Sequence, residues 1–168
     1  MTLEFQNNMD NLIKAIDQWT QGKNKFETPI TGLTLHRWES PTHPSSNILD
    51  ASLCLIAQGK KQVILGEESY IYDSKNFLFT AIDLPVISQI IEASPQQPYL
   101  GVILRLDPYV LAQLMLEAHI PFKHNNLEKK GVAVGQVSAE LNDAFVRLLT
   151  LLNTPDDIAI LAPLVIKE

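Results

Sequence analysis

Between Ile30 and Asp107 the apolar and β-branched residues come in short runs, and each run ends on a glycine, a proline or a cluster of small polar residues. That rhythm restricts the fold more than any other feature, because turn-bounded runs of this length have the spacing of antiparallel strands. "TGLTLHRWE" and "ASLCLIAQ" flank "SPTHPSS", a loop with two prolines. "QGKK" at 58–61 carries a glycine able to take positive φ, so "ASLCLIA" and "KQVILG" read as two arms of a hairpin. Gly66-Glu67 turns the chain into "ESYIYD", and Asp73 to Asn76 turns it into "NFLFTAI". "LPVISQIIEA" and "PYLGVILRL" follow, separated by "SPQQP", and "GVAVGQV" at 131–137 adds a last short strand. About seven or eight strands at this spacing predict a barrel or a sandwich.

Helical patterns stand on either side. Phe5, Met9, Leu12, Ile16 and Trp19 recur on one helical face, and Gly22 breaks the pattern. Asp107-Pro108 reads as an N-cap with proline at the first helical position, followed by Val110, Leu111, Leu114, Met115 and Ala118 before Pro121 stops the helix. Ser138 caps a further helix with a stripe of Leu141, Phe145, Leu148, Leu149 and Leu152. Thr154-Pro155-Asp156-Asp157 starts another, which Pro163 limits. The fold class is therefore α+β, mainly β. Its expected parts are an N-terminal helix and linker over 1–28, a barrel over 29–137 with a helix inserted near 108–120, and C-terminal helices over 138–168.

The chain is 168 residues long, 46% hydrophobic and 19% charged, enough for one domain to bury a core without metals or disulfides. A net charge of -6 and a pI near 5.2 argue against a phosphate-binding surface. The small basic group Lys123, Lys129 and Lys130 reads as a solvated loop. The single cysteine, Cys54, allows no intramolecular disulfide, which fits a reducing compartment and a cytoplasmic protein. No segment approaches the roughly 20 apolar residues that span a bilayer, so no membrane partner is expected.

Few residues point to chemistry. The histidines are His36, His43, His119 and His124, and no two share one face of a strand or helix at metal-ligand spacing, so the paired histidines of a cupin metal site are missing. Cys54, between Leu53 and Leu55, reads as a small buried hydrophobe. There is no GxSxG elbow, no GxGxxG turn and no glycine-rich phosphate loop, and Glu67 and Glu68 would point to opposite faces of a strand. No catalytic residue, metal site or cofactor is expected. The candidates for ligand contact are polar or aromatic groups on strands. Tyr70 and Tyr72 share a face, and a buried phenol needs a hydrogen-bond partner. Phe77 and Phe79 also share a face and read as core. His36 and Trp38 form a similar alternate pair, with Leu35 and Arg37 opposite. Arg105, in the apolar "VILRLD", should face solvent, an acid or a ligand anion.

Residues 51 to 107 combine Gln58-Gly59-Lys60-Lys61, Gly66, Tyr70 with Tyr72-Asp73, Asp83-Leu84-Pro85-Val86, Ala93-Ser94 and Pro98-Tyr99. In this order and spacing they resemble the N-terminal domain of AraC-type transcriptional regulators, and the likeness continues more loosely to "PDDIAILAPLVIKE". The resemblance implies a cupin-like barrel followed by helices, which binds a small effector or mediates dimerisation. It also implies a separate domain with two helix-turn-helix units, absent from this chain, through which alone DNA would be bound. Gly59 and Gly66 would serve turns, and Pro85 a strand entrance. The helix over 138–152 resembles the dimerisation helix of relatives, giving Leu141, Phe145, Leu148 and Leu152 an intermolecular use, with packing on the barrel as the competing use. The expected partners are a small-molecule effector and a second copy of the chain. The N-terminal helix with the "SPTHPSS" loop would form a lid. Two other readings stand beside this one: a stand-alone cupin-type enzyme acting on a small metabolite, and a dimerisation module whose barrel is filled by its own side chains.

Overall fold

The computed structural model describes residues 3–107, 109 and 131–167. Helix α1 (Leu3–Trp19) leads into β1 (Lys25–Glu27), β2 (Leu33–Trp38), β3 (Ser45–Leu49), β4 (Ser52–Gln58) and β5 (Lys60–Leu65). Then come β6 (Glu68–Tyr72), β7 (Asn76–Thr80), β8 (Leu84–Glu92), β9 (Tyr99–Arg105) and β10 (Val132–Gln136). The last elements are α2 (Ala139–Thr150), 3-10 turns at Leu151–Asn153 and Pro155–Asp157, and α3 (Ile158–Lys167).

The strands form two antiparallel sheets, one in the order β1-β2-β9-β4-β7-β10 and one in the order β3-β8-β5-β6. They face each other as an open sandwich and do not close into a barrel.

Strand pairing departs from the order along the sequence. β5 and β6 form a hairpin around Gly66, but "ASLCLIA" and "KQVILG" are not two arms of one. β4 lies in the six-stranded sheet and β5 in the four-stranded one. The chain crosses between them at Gly59, whose φ is +92°, and a Cβ there would lie 2.6 Å from the Glu92 carbonyl oxygen. Only glycine fits so tight a corner. Register shifts at Ile56/Gln58 and at Lys60/Lys61 bend the flanking strands, as sandwich corners require. β6 and β7 are separated in the same way across Asp73–Asn76.

Two strands fall where no apolar alternation marked them. β1, within residues 1–28, pairs with β2 at the edge of the larger sheet. β3 takes the end of the double-proline loop, and its residues up to Ile48 are exposed.

The helices form on the predicted stripes. Met9, Leu12 and Ile16 of α1 are buried, while the Phe5 side chain lies outside the described residues. Ser138 caps α2, its hydroxyl accepting from the Leu141 N–H at 3.0 Å. α3 continues through Pro163 to Lys167 and does not stop at the proline. The missing N–H leaves the Ala159 carbonyl without a helical donor, and Ala159 is exposed, so water can take that bond. The helix expected near 108–120 lies outside the described residues, as do His119, His124, Lys123, Lys129 and Lys130. At its start the Asp107 carboxylate accepts from the Tyr109 N–H at 2.9 Å, as an N-cap would. No single helix among the described residues is long and apolar enough to cross a membrane.

Two apolar layers result. The outer layer covers the far face of the larger sheet, where Leu33, Leu35, Leu55, Leu100 and Val102 meet Leu12, Ile16, Phe145, Leu148, Leu149 and Leu152 from the helical segments. Arg37, on that same face of β2, pairs with Asp17 of α1 and with Glu39 at 3.4 Å, pinning the helix to the sheet. The inner layer lies between the sheets and contains Cys54, Ile56, Val63, Tyr72, Leu78, Val86 and Tyr99. The outer face of the smaller sheet exposes Ile48, Ile71 and Ile87, and among the described residues no helix packs on it.

Candidate functional site

A cavity of about 560 Å³ opens between the sheets, within the range of small-molecule sites. Strand alternation decides what reaches it. On β2 the alternation sends Leu33, Leu35 and Arg37 toward the helices, and Thr34, His36 and Trp38 inward. Across the sheet His36 pairs with Gly101 and Thr34 with Ile103. Gly101 serves packing: a Cβ there would sit 2.6 Å from the Tyr99 hydroxyl, so the bare glycine makes room for that ring inside the sandwich. From β4 come Ser52 and Cys54, and from the opposing sheet Lys61 of β5, level with the buried Tyr72 and Ile90.

The cavity wall is polar. Thr34, His36, Asn47, Ser52, Lys61 and Arg105 all line it, with Glu27 and Asp50 as exposed acids. Burial pushes the His36 imidazole down to about 4, helped by the charges of Lys61 and Lys25, so it is neutral at physiological pH. Burial also lowers the Lys61 ammonium from its ordinary value. Burial pushes the Cys54 thiol up, which disfavours the thiolate, and its Sγ lies 3.6 Å from Ser52 Oγ. Burial raises the Tyr72 phenol far above its ordinary value, and Tyr99 behaves likewise. Neither phenol has a hydrogen-bond partner among the described residues.

The ligand candidates divide into two groups. His36 and Arg105 reach the cavity. Arg105 is exposed and sits opposite Ser52. Trp38, Tyr70 and Tyr72 lie on the same interior faces but pack into the inner layer and do not line the cavity. Phe77 joins the outer layer, on the other side of its sheet from Leu78. Lys61 was not among the residues expected from sequence, although it alternates with Val63 and Leu65, both inward. Its neighbour Lys60 faces out and pairs with Glu92 at 3.8 Å, and sequence alone gives no way to tell which of two adjacent lysines turns inward.

The intermolecular use of the α2 stripe does not suit this packing. Phe145, Leu148 and Leu152 are 3%, 2% and 4% exposed, and Leu141 is half-buried, all within the outer layer. Their apolar surface is already covered by α1 and the sheet. The helical part of the lid is likewise corrected: α1 packs on the outer face of the larger sheet, away from the cavity, whereas β3, in which the double-proline loop ends, borders the cavity through Asn47 and Ile48. Among the described residues no three His, Cys, Asp or Glu side chains gather as metal ligands.

Comparisons with solved structures return ToxT from Vibrio cholerae. With an unsaturated fatty acid bound, ToxT matches at 8% identity and a TM-score of 0.49, covering 79% of this chain and 50% of that one. A second ToxT crystal form matches at 15% identity and a TM-score of 0.42, covering 85% and 48%. Salicylate 1,2-dioxygenase from Pseudoaminobacter salicylatoxidans, as its gentisate adduct, matches at 12% identity and a TM-score of 0.27, covering 81% and 36%. The chain thus spans about half the length of the ToxT chains. A search of curated proteins gives no match. The family model described as "AraC-type transcriptional regulator N-terminus" matches residues 29–168. With most of its length matched, from the strand before the cavity to the last helix, this chain belongs to the family of AraC-type regulator N-termini.

Proposed function

We propose that this chain is the regulatory, non-enzymatic part of a cytoplasmic transcription regulator. A small molecule held between the two sheets biases the arrangement of a DNA-binding domain carried by the full-length protein. The observation that supports this most is the cavity itself: a cleft of about 560 Å³ that runs in from an exposed rim between the sheets, in a member of a regulator family. It is lined by polar side chains, whereas a purely structural module would fill that space with apolar ones. ToxT, whose structure holds an unsaturated fatty acid, offers a parallel for a ligand in such a domain. The ligand acts by population shift, binding one arrangement of sheets and helices more tightly than another.

Self-association belongs to the same proposal. The buried part of the α2 stripe is already occupied, but α3 exposes Ile160 at 71%, Leu161 at 40% and Leu164 at 60%, and these are the large apolar groups of the C-terminal helices open to a second copy. Native mass spectrometry of the purified chain tests both parts. The expected species is a dimer that retains an organic mass under native conditions and loses it on denaturation. A bare monomer would remove the support for both.

A further inference from the structure

The cavity contains a cation without a counter-charge. Lys61 projects between the sheets, paired in register with Tyr72 and Ile90. The groups that face it from the other strands are His36, Cys54 and Tyr72, none of them an acid. Among the described residues its ammonium has neither an ion pair nor a hydrogen-bond acceptor, whereas the adjacent Lys60 has Glu92. The acids bordering the cavity are exposed, and Glu27 is already paired with Lys25 at 3.4 Å. Arg105, also on the wall, has no acid partner among the described residues either. A half-buried ammonium without a counter-charge lowers stability, and an apolar residue of similar length would not. Retaining a lysine here is explained by an anion that arrives from outside.

Resting on the effector reading above, we infer that Lys61 anchors the carboxylate of a small hydrophilic monoanion. Arg105 stands at the exposed rim, so the inward-turned part of the wall offers a single positive charge, that of Lys61, which matches one carboxylate. Thr34 and Ser52 on the facing sheet, and the Asn47 amide on β3, whose Oδ1 already accepts from Ser88 Oγ at 2.9 Å, offer further polar partners, which a hydrocarbon tail would leave unpaired and a hydroxylated ligand would satisfy. The neutral His36 adds a ring nitrogen that can donate or accept.

Thermal denaturation of the purified chain at pH 7 tests this with D-gluconate, sorbitol and octanoate at equal ionic strength. The proteins are the wild type, Lys61→Gln and Lys61→Met. Gluconate should raise the wild-type Tm by a few degrees while sorbitol leaves it unchanged, and both variants should lose the gluconate response. Without ligand, Lys61→Met should melt above the wild type. The inference is overturned if gluconate leaves the wild type unmoved, or stabilises Lys61→Gln equally. It is also overturned if octanoate outperforms gluconate, or if Lys61→Met melts below the wild type, which would give Lys61 a structural partner. Should gluconate fail while native mass spectrometry finds a neutral organic mass, the anchor is wrong and the effector reading stands. If neither method finds a bound molecule, both fall.

Discussion

Both faces of the six-stranded sheet are covered, one by helices and one by the second sheet, and the two coverings differ in chemistry. The helix-covered layer is mostly apolar, closed by leucines and Phe145, with Asn142 of α2 buried and Arg37 clipped to Asp17 at its edge. The sheet-covered face mixes Val63 and Leu78 with Tyr72, Tyr99, Cys54, His36 and Lys61 and leaves a cavity at one end. A layer that serves only stability is dry and filled; the inner layer carries polar groups that give up stability in the ligand-free state. Residues of similar burial therefore should respond differently to substitution on the two sides.

The largest contrast is expected from truncation in the helix-covered layer. Phe145→Ala, at a site 3% exposed, should cost about 3–5 kcal/mol in urea denaturation, and Leu12→Ala about 2–5 kcal/mol. A loss below about 1 kcal/mol at both would show that the helices are loosely attached. Next comes acid sensitivity of the inner layer. His36 titrates near 4 when folded, against 6.5 ordinarily. Between those values the unfolded chain binds a proton that the folded one does not, so stability is full above pH 6.5 and falls toward pH 4. The loss should be at most about 3–4 kcal/mol, and His36→Gln should flatten that part of a Tm-versus-pH curve.

Smaller still is Tyr72→Phe. Its ring is 2% exposed, but the phenol lacks a protein partner among the described residues, so removing it should change stability by less than about 1 kcal/mol. A larger loss would reveal a partner for that oxygen. Ile71→Thr, one residue away but 59% exposed on the outer face of the smaller sheet, should stay within about 0.5 kcal/mol.

The sequence carried the elements better than their arrangement. Alternation in "LTLHRW" was enough to separate His36 and Trp38 from Leu35 and Arg37, because one face of β2 meets leucines and the other meets the second sheet. The α2 stripe was equally plain, yet the stripe alone does not tell a partner's surface from the protein's own, and α1 occupies it. Pairing was hidden because the chain changes sheet at corners such as Gly59, and a turn signal reads the same whether the next strand returns beside the last or crosses to the opposite layer. β3 escaped notice as an edge strand of exposed polar residues, with no apolar period to mark it. Lys61 was legible only as one of two adjacent lysines, and the register shift at Lys60/Lys61 decides which of them enters the cavity.

Among the described residues the helical layer lies on the side of the larger sheet, α1 against β2, β4 and β9, α2 against α1 and α3 against α2, and this divides the sandwich into a braced wall and an unbraced one. The braced wall carries α1 directly, with α2 and α3 stacked behind it in the same apolar layer. Among the described residues the four-stranded wall has neither helix nor ion-pair clip tying it to the helical layer, and it is held by the inner layer and by the corners where the chain crosses over. Lys61 stands on the unbraced wall, and His36 and Arg105 on the braced one. A molecule that bridges them works as a strut between a stiff plate and a compliant one, so its displacement is taken up mainly by the smaller sheet. Amide hydrogen exchange that slows in β5 and β8 on binding, with β2 and β9 little changed, would be the mechanical signature of that asymmetry.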